Sequence, residues 1–393
     1  MPWRNVSAME QKREFINLFL SGQHSLSELC REFKVSRPTG RKYVSRFKKF
    51  GDPGLNALSR APHYIPLKTH PEIEQAICDF RRSKPNYGIE KILKKLSGIY
   101  SCERLPALST GNLILKRNGL IIPRKRYRRI EPVQPIFDPS EPNQVWSADF
   151  KGKFRMGNRE YCNPLTIADS FSRFVFEAKG MLHANYEGCR IGFERVFREF
   201  GMPQQMHTDN GPPFGCVQSL CRLTRLAVWF IELGIEPVYS DPGHPEQNGR
   251  HERMHRELKA EATRPPGHNL QAQQRKLNAF LKEYNYERPH AALNQETPSK
   301  IHRPSTRLYP EKITEWDYPK EMKVRYVCRN GAIRWGHSGW VGVTTSLMEK
   351  NIGLEEIGEG IWGVYFRNKR LGFFNEKVGR IHDEQGRFKR NKV

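Results

Sequence analysis

The first 50 residues carry apolar positions at helical spacing. Between Leu26 and Phe33 these positions are 26, 29, 30 and 33, which lie on one face of a helix. Residues 34–35 then predict a turn, and Ser36 is a good N-cap for a second helix that runs to about residue 48. A short helix, a tight turn and a basic second helix predict a helix-turn-helix domain over residues 1–55, whose second helix enters the major groove of DNA. A helical hairpin with a solvated basic face has the same pattern. The outward-facing residues predicted to contact DNA are Arg37, Thr39, Arg41, Lys42 and Arg46.

A second helical set follows a loop that contains glycine and proline. Three segments have the pattern of helices, namely residues 71–82, 88–96 and 109–116. Ser109 is the predicted N-cap of the third helix, and residues 120–122 suit a short strand. This order predicts a winged-helix-like DNA-binding domain over residues 68–123. A bare helical bundle is the alternative.

From residue 144 the pattern changes to alternating strands and helices. Strand-like segments are predicted at residues 145–151, 161–168, 174–178, 205–207 and 235–239. Helical segments are predicted at residues 186–200, 220–233, 249–261 and 270–286. Three antiparallel strands followed by alternating helices and strands predict a ribonuclease-H-like α/β core over residues 140–290, including a trailing helix.

Short strands return after a proline-containing linker. They are predicted at residues 324–327, 332–335, 340–344, 352–355, 361–366 and 371–374. The Asn330-Gly331 step between the first two is a strong hairpin turn. We therefore predict a small β-barrel over residues 321–379, which contacts DNA nonspecifically or binds protein. The predicted protein is multidomain, with an α-helical N-terminus, an α/β core and a β-barrel C-terminus.

The net charge of the chain indicates which class of molecule it binds. Of 393 residues, 66 are Lys or Arg and 42 are Asp or Glu, which leaves a net charge of +24 and a pI of about 9.8. An excess of this size favours a polyanion such as DNA. No apolar run approaches the roughly 18 residues of a membrane span, and the N-terminus lacks the apolar core of a signal peptide. The eight cysteines form no Cys-x-x-Cys pair, so we predict reduced thiols in a cytoplasmic protein without a membrane partner.

A dense basic run separates the second helical set from the linker that follows. We predict that it contacts phosphates in a salt-sensitive way, although such a run is more generally a solvated tail. Its basic residues are Arg124, Lys125, Arg126, Arg128 and Arg129.

Two aspartates lie where strands are predicted. Asp149 falls within the first strand of the core, and Asp209 follows the fourth strand and leads into an Asn-Gly turn. Such a turn alone is ordinary loop chemistry. Two acids near strand ends and one on a helix could, however, converge on a pair of divalent ions about 3.5–4 Å apart, the arrangement that phosphodiester chemistry uses.

Two glutamates compete for the third position. Glu252 falls in the first turns of the helix predicted from residue 249, and Arg256 and Lys259 share its face at i+4 and i+7. An acid followed by cations suits a surface that binds both metal and DNA. Glu246 lies before the helix and cannot readily share that face, so the residues favour Glu252.

Three motifs carry a family resemblance. They are W-S-A-D-F-K-G at residues 146–152, H-T-D-N-G-P-P-F at 207–214 and H-P-E-Q-N-G-R-H-E-R-M-H-R-E-L-K at 244–259. Together with Y-N-Y-E-R-P-H-A-A-L at residues 284–293, they resemble the motifs of bacterial insertion-sequence transposases with a retroviral-integrase-type catalytic core. The resemblance covers nearly the whole chain. The interval 252 − 209 = 43 is longer than in the shortest relatives, and the zinc module of retroviral integrases is replaced by helix-turn-helix units.

The resemblance implies a DDE transposase in which Asp149, Asp209 and Glu252 are both catalytic residues and metal ligands. Two Mg²⁺ or Mn²⁺ ions would support cleavage of the DNA ends of the element and their transfer to target DNA. It also implies a homo-oligomer on terminal inverted repeats and a bacterial, nucleoid-associated location. DNA contacts by Arg256 and Lys259 are part of the same expectation. The rivals are a DNA-binding regulator with an inactive core and a ribonuclease-H-like nuclease without strand transfer.

Overall fold

The structure is a computed structural model that describes residues 7–58, 68–121, 138–217, 219–241, 244–336 and 339–383. It divides into two compact units, Met1–Lys68 and Thr69–Val393. Within the described residues, no helix is both long and apolar enough to cross a membrane.

The first unit is a three-helix domain. Its helices are α1 (Ala8–Leu20), α2 (Leu26–Glu32) and α3 (Arg37–Phe50). Serines cap all three N-termini, and Ser36 caps α3 as the sequence predicts. Gly40 of α3 allows a close approach to α2, because a Cβ there would lie only 2.5 Å from Cys30 Sγ. The predicted helix, turn and basic helix are therefore present.

The second helical set begins the second unit. Its helices are α4 (Pro71–Ser83), α5 (Ile89–Leu96) and α6 (Leu108–Arg117), and their apolar faces form one small core. Two local predictions are wrong. The helix α6 starts one residue earlier than predicted, so Ala107 and not Ser109 is its N-cap residue. Residues 120–121 are not in a strand, because Leu120 instead ends the helix with a backbone bond to Leu115.

The core follows as a sheet with helices packed on it. Its strands are β1 (Val145–Phe150), β2 (Phe154–Arg155), β3 (Tyr161–Cys162), β4 (Leu165–Asp169), β5 (Val175–Lys179), β6 (Gln205–Thr208) and β7 (Glu236–Tyr239). Its helices are α7 (Tyr186–Phe200), α8 (Arg225–Glu232), α9 (Gly249–Ala262) and α10 (Leu270–Lys282). The predicted segment 161–168 is broken at Asn163-Pro164, so it forms two strands.

The main sheet has the order β5-β4-β1-β6-β7. Strands β5, β4 and β1 are antiparallel, whereas β1, β6 and β7 are parallel. This mixed sheet agrees with the predicted order of elements. Because β1 and β6 are parallel neighbours, their carboxyl ends lie at the same edge, and Asp149 and Asp209 lie at those ends.

Large apolar side chains fill the space between this sheet and its helices. Trp146 of β1 is fully buried and stacks near Phe176, while Phe193 and Phe197 of α7 and Trp229 of α8 complete the layer. Burying aromatic side chains of this size contributes most of the packing energy of such a layer. The sheet that carries the two aspartates is therefore firmly supported.

The predicted helix 220–233 is shorter than expected. Leu220–Arg222 forms a 3-10 turn in which Cys221 and Arg222 have left-handed backbone angles, with φ of 49° and 58°. A true helix, α8, begins only at Arg225, where Thr224 caps it. The predicted helix 270–286 likewise ends as α10 at Lys282 and continues as a π-turn, Glu283–Glu287.

The chain ends in antiparallel strands after the short helix α11 (Pro298–Ile301). These strands are β8 (Lys323–Tyr326), β9 (Ala332–Trp335), β10 (Gly339–Gly342), β11 (Asn351–Gly358), β12 (Ile361–Phe366), β13 (Lys369–Asn375) and β14 (Arg380–His382). The last of them was not predicted.

The closed β-barrel predicted for this region is not confirmed. Among the described residues, one sheet has the order β14-β13-β12-β11-β8, and β9 pairs only with β10 in a separate two-stranded sheet. The two sheets pack through apolar side chains in one core, and no hydrogen-bonded ladder closes them in the part of this region that the structure describes. That core also includes Leu223 and Ile231 from the α8 region, so the C-terminal sheets are built onto the α/β core.

Candidate active site at the carboxyl edge of the sheet

Three acidic residues approach one another at the carboxyl edge of the main sheet. Asp149 lies near the end of β1, Asp209 directly follows β6, and Glu252 lies in the first turn of α9. The side chain of Asp149 is only 20% exposed, whereas Asp209 and Glu252 are exposed. The sheet thus holds the first acid inside a cleft whose rim carries the other two.

The pKa of Asp149 reflects the two other acids. Burial, the negative charge of Asp209 and, more weakly, that of Glu252 together raise the pKa of Asp149 to about 7. A bond from the backbone of Phe150 and the charge of Lys151 oppose this rise. Partial desolvation of its carboxyl group also raises the pKa of Asp209, although the residue as a whole is exposed, while the Gly211 N–H, 3.1 Å from its Oδ1, lowers it. A cation bound beside Asp149 would relieve the repulsion that this carboxylate experiences.

The donor set fits a hard divalent cation, because all three side chains offer carboxylate oxygens. Among the described side chains, however, no group of three or more His, Cys, Asp or Glu residues is gathered closely enough to form a coordination sphere by itself.

The turn after β6 is fastened by Asn210. Its amide donates to the Ser240 carbonyl at 2.5 Å, and its Oδ1 accepts from Arg222 Nη1 at 2.9 Å. The sequence predicts that Asn210 and Gly211 shape this turn. The contact with Arg222, twelve positions later, is not visible in any local pattern.

The approach to α9 is a 3-10 turn, Pro245–Asn248. Glu246 lies in that turn and Glu252 in the helix that follows, and the side chain of Glu246 is outside the described part of the structure. Gln247 holds the preceding loop through paired hydrogen bonds with Asp241, of 2.7 and 3.0 Å. Asn248 occupies the N-cap position without capping, and its amide instead approaches Asp149 Oδ2 at 3.5 Å.

Two histidines of α9 join this helix to the main sheet. His251 and His255 are buried, and Nε2 of each lies 2.7 Å from the Thr166 hydroxyl on β4. Burial lowers the pKa of His251 to about 3 and that of His255 to about 2, so both are neutral at physiological pH. Since Ser147 Oγ lies 2.8 Å from His251 Nδ1, the network joins α9 to β1 and β4.

This histidine network fixes the helix that carries Glu252 relative to the strand that carries Asp149. The Thr166 hydroxyl also donates to the Asp149 carbonyl oxygen at 2.9 Å. His255 Nδ1 lies 3.7 Å from Asp149 Oδ2, which is no ion pair while the imidazole is neutral. Positions 251, 254, 255, 258 and 262 form the buried stripe of α9. If histidine is allowed in that stripe, the helical spacing predicts that both histidines are buried.

Cations surround the open side of the cleft. Arg256 and Lys259 are exposed on α9, as the predicted face requires. Lys151 follows β1, and burial together with the nearby charge of Lys259 lowers its pKa. Lys151 is not among the residues predicted to contact DNA, although its position two residues after Asp149 is the signal for it. A phosphate backbone that approaches the acids would meet these three positive charges.

The other DNA contacts predicted from sequence belong to the first unit and to the basic segment 124–129. Arg37, Arg41 and Lys42 are exposed on α3, whereas Thr39 and Arg46 are half-buried. The Thr39 hydroxyl lies 2.9 Å from Ser36 Oγ at the helix cap. The basic residues of the segment 124–129 lie outside the described residues.

Family models match both the N-terminal helical domain and the α/β core of this chain. Residues 139–245 and 233–298 match family models described as Integrase core domain, and residues 11–63 match a model described as Helix-turn-helix domain. The first core segment contains Asp149 and Asp209, and the second contains Glu252. The resemblance based on the three motifs is thereby confirmed.

Proteins of insertion elements are among the relatives. The chain is 28% identical over 195 residues to the uncharacterized 31.7 kDa protein of insertion element IS407 from Burkholderia multivorans, across 48% of this chain and 66% of that protein. It is 28% identical over 184 residues to the uncharacterized 39.2 kDa protein of insertion element IS476 from Xanthomonas euvesicatoria, across 45% of this chain and 50% of that protein. The chain thus spans less than two thirds of the length of these curated relatives.

Solved structures are similar over part of the chain. One is the HTLV-2 integrase catalytic core domain in complex with magnesium, at 17% identity and a TM-score of 0.34, across 42% of this chain and all of that one. Another is the simian T-cell lymphotropic virus intasome in complex with PP2A regulatory subunit B56 gamma, at 15% identity and a TM-score of 0.37, across 77% of this chain and 96% of that one.

Proposed function

We propose that this chain is a DNA transposase of the insertion-element type. In this proposal it is a metal-dependent polynucleotidyl transferase that cleaves the ends of an element and joins them to target DNA. The observation that carries the proposal is that the charges of Asp209 and Glu252 raise the pKa of Asp149, which lies at the carboxyl end of β1. Two Integrase core domain matches contain the same three positions, which supports the proposal.

The three carboxylates would hold the metal. Mg²⁺ and Mn²⁺ prefer oxygen ligands, and a pair of such ions activates the attacking oxygen and stabilises the leaving oxygen. Asp149 supplies a buried carboxylate on a rigid strand, while Asp209 and Glu252 supply exposed ones that can adjust to substrate. We propose two ions, because three carboxylates on three separate elements can bracket a pair.

The residues around the acids would position them and the DNA. The network of Thr166, His251 and His255 fixes the position of α9 relative to β1. Lys151, Arg256 and Lys259 would neutralise the phosphates next to the scissile bond.

DNA recognition would be divided between units. The exposed Arg37, Arg41 and Lys42 of α3 suit the terminal inverted repeats of the element, and target DNA would lie across the basic face of α9. Because an element has two ends and each site can process one at a time, we propose a homo-oligomer of at least two chains on the DNA.

Purified full-length protein tests the proposal directly. It is incubated with Mg²⁺, DNA from the flanks of its own gene and a target plasmid, and products are separated on denaturing gels. We expect cuts at the terminal repeats and joined products, both abolished by EDTA. Cleavage without joining would support the nuclease reading instead, and binding without cleavage would support a regulator with an inactive core.

A further inference from the structure

The segment between the Asp209 turn and α8 has an unusual backbone. Cys221 and Arg222 are consecutive non-glycine residues whose backbones are both in the left-handed region, with φ of 49° and 58°. Such conformations are costly for these residue types and persist only where the surroundings impose them. The same segment makes the interval between Asp209 and Glu252 long.

The C-terminal sheets hold this segment. Ser219 Oγ lies 2.9 Å from Thr344 Oγ1, the Cys221 thiol donates to the Leu371 carbonyl at 2.9 Å, and Ser346 Oγ donates to the Leu223 carbonyl at 2.9 Å. Leu220 and Leu223 are buried in the core that the C-terminal strands form. Three hydrogen bonds to residues more than a hundred positions away and two buried leucines thus hold this segment.

The side chain of Arg222 connects this turn to the residue that follows Asp209. Its Nη1 donates to Asn210 Oδ1 at 2.9 Å and lies 3.5 Å from the Ser240 carbonyl, to which Asn210 also donates. Asn210 adjoins Asp209. Gly215 lets the segment lie directly against this turn, since a Cβ there would be 3.1 Å from the Asn210 Cα.

We propose that Arg222 is a positioning residue for the Asp209 carboxylate, and that the C-terminal sheets act on the active site of their own chain through the turn that presents it. The inference rests on the proposed function and adds to the DNA-contacting role expected of the C-terminal region. Arg222 acts by holding Asn210, the residue that directly follows Asp209. It never touches the metal or the DNA in this scheme.

The test uses full-length Arg222→Met, with Arg225→Met as the matched control. Arg225 is exposed at the start of α8 and stacks on the Tyr186 ring at 4.7 Å, so its substitution removes the same charge without touching Asn210. Two quantities are measured: Mn²⁺ affinity by titration calorimetry in the absence of DNA, and the Mg²⁺ dependence of strand transfer. Losing an outer-shell partner of a ligand typically costs about 10–100-fold in metal affinity or activity.

We expect Arg222→Met to weaken Mn²⁺ binding and raise the half-saturating Mg²⁺ concentration by about tenfold or more, within that range. Arg225→Met should match the wild type in both measurements, and Arg222→Met should bind element-end DNA normally. A protein with only a general packing defect would lose DNA binding and thermal stability without a selective change in metal dependence.

A second variant tests the link to the C-terminal sheets. Ser219→Ala combined with Ser346→Ala removes two anchors of the turn and leaves Arg222 in place, and we expect a change in the same direction as Arg222→Met. Wild-type Mn²⁺ affinity and wild-type Mg²⁺ dependence in both variants would overturn the inference. Wild-type protein that binds Mn²⁺ but makes no DNA products would instead refute the proposed function, and the Mn²⁺ titrations would still decide the role of Arg222.

Discussion

Arg288 lies at the centre of a buried ionic network behind the active site. Its guanidinium has no exposed surface and donates to Glu283 at 2.8 and 3.1 Å, to Glu257 at 2.8 Å and to Glu261 at 2.5 Å. Glu257 and Glu261 belong to α9, and the Tyr87 hydroxyl of the second helical set donates to Glu283. One arginine therefore joins the helix that carries Glu252 to two other parts of the unit.

Replacing Arg288 by methionine keeps most of the side-chain volume and removes the charge. Glu257 and Glu261 are 24% and 21% exposed, so water can partly replace the lost partner. Glu283 is only 10% exposed and would stay buried with a single donor, Tyr87. Breaking a buried pair by removing one partner costs about 3–5 kcal/mol. We expect Arg288→Met to lower the unfolding free energy of the second unit by an amount in this range.

Urea unfolding followed by tryptophan fluorescence measures this change. Apart from Trp3, every tryptophan lies between Trp146 and Trp362, so the signal reports the second unit. Adding Glu283→Gln should recover at least about 1 kcal/mol, because coupled neighbours show interaction energies of about 0.5–3 kcal/mol. A loss below about 1 kcal/mol in Arg288→Met, or no recovery in the double variant, would refute the reasoning from burial.

Three further outcomes follow from other parts of the molecule. Thr166→Val leaves the buried His251 and His255 without their shared partner, so we expect a loss of about 1–3 kcal/mol in urea unfolding and weaker strand transfer; unchanged stability would contradict the network. Removing residues 1–50 should abolish the footprint on terminal repeats while leaving metal binding intact, and an unchanged footprint would contradict the role of α3. Lys259→Gln should weaken binding to all DNA sequences alike and reduce the slope of log affinity against log salt by about 1; a full slope would place Lys259 away from phosphate.

Local signals in the sequence specify much of this fold. The helix α7 has the bounds predicted from its periodicity, since Asn185 caps its start and Gly201 ends it with a φ of 77°. The strands β9 and β12 also have their predicted bounds. In these elements propensity, capping and pattern agree, so no distant contact is needed to define them.

The elements whose bounds were predicted wrongly depend on contacts between residues that are far apart in the sequence. The apolar residues at 220 and 223 predict a continuous helix, but their side chains pack into the core of the C-terminal sheets and the backbone turns there. Ser109 has the chemistry of a cap, yet the helix starts before it. The closed barrel was inferred from the number and length of strands, which does not determine whether the edge strands pair.

The residues of the candidate site likewise divide into those with local sequence signals and those without. Asp149, Asp209 and Glu252 could be chosen from strand ends, turn chemistry and a helical face. The residues that support them could not, because Arg222 reaches Asn210 across a non-helical turn, and the histidines of α9 meet Thr166 only after the sheet has formed. Side chains that act directly leave local signals, whereas those that position them are defined by tertiary contacts.

In the proposed function, Asp149, Asp209 and Glu252 form one metal-dependent active site for DNA strand transfer. The most direct measurement compares wild-type protein with Asp149→Asn, Asp209→Asn and Glu252→Gln in a Mg²⁺-dependent strand-transfer assay on labelled element ends, with Glu246→Gln as the matched control. We expect each of the three substitutions to abolish cleavage and joining while end binding is retained, and Glu246→Gln to remain active. Strand transfer retained by Glu252→Gln and lost in Glu246→Gln would contradict the account.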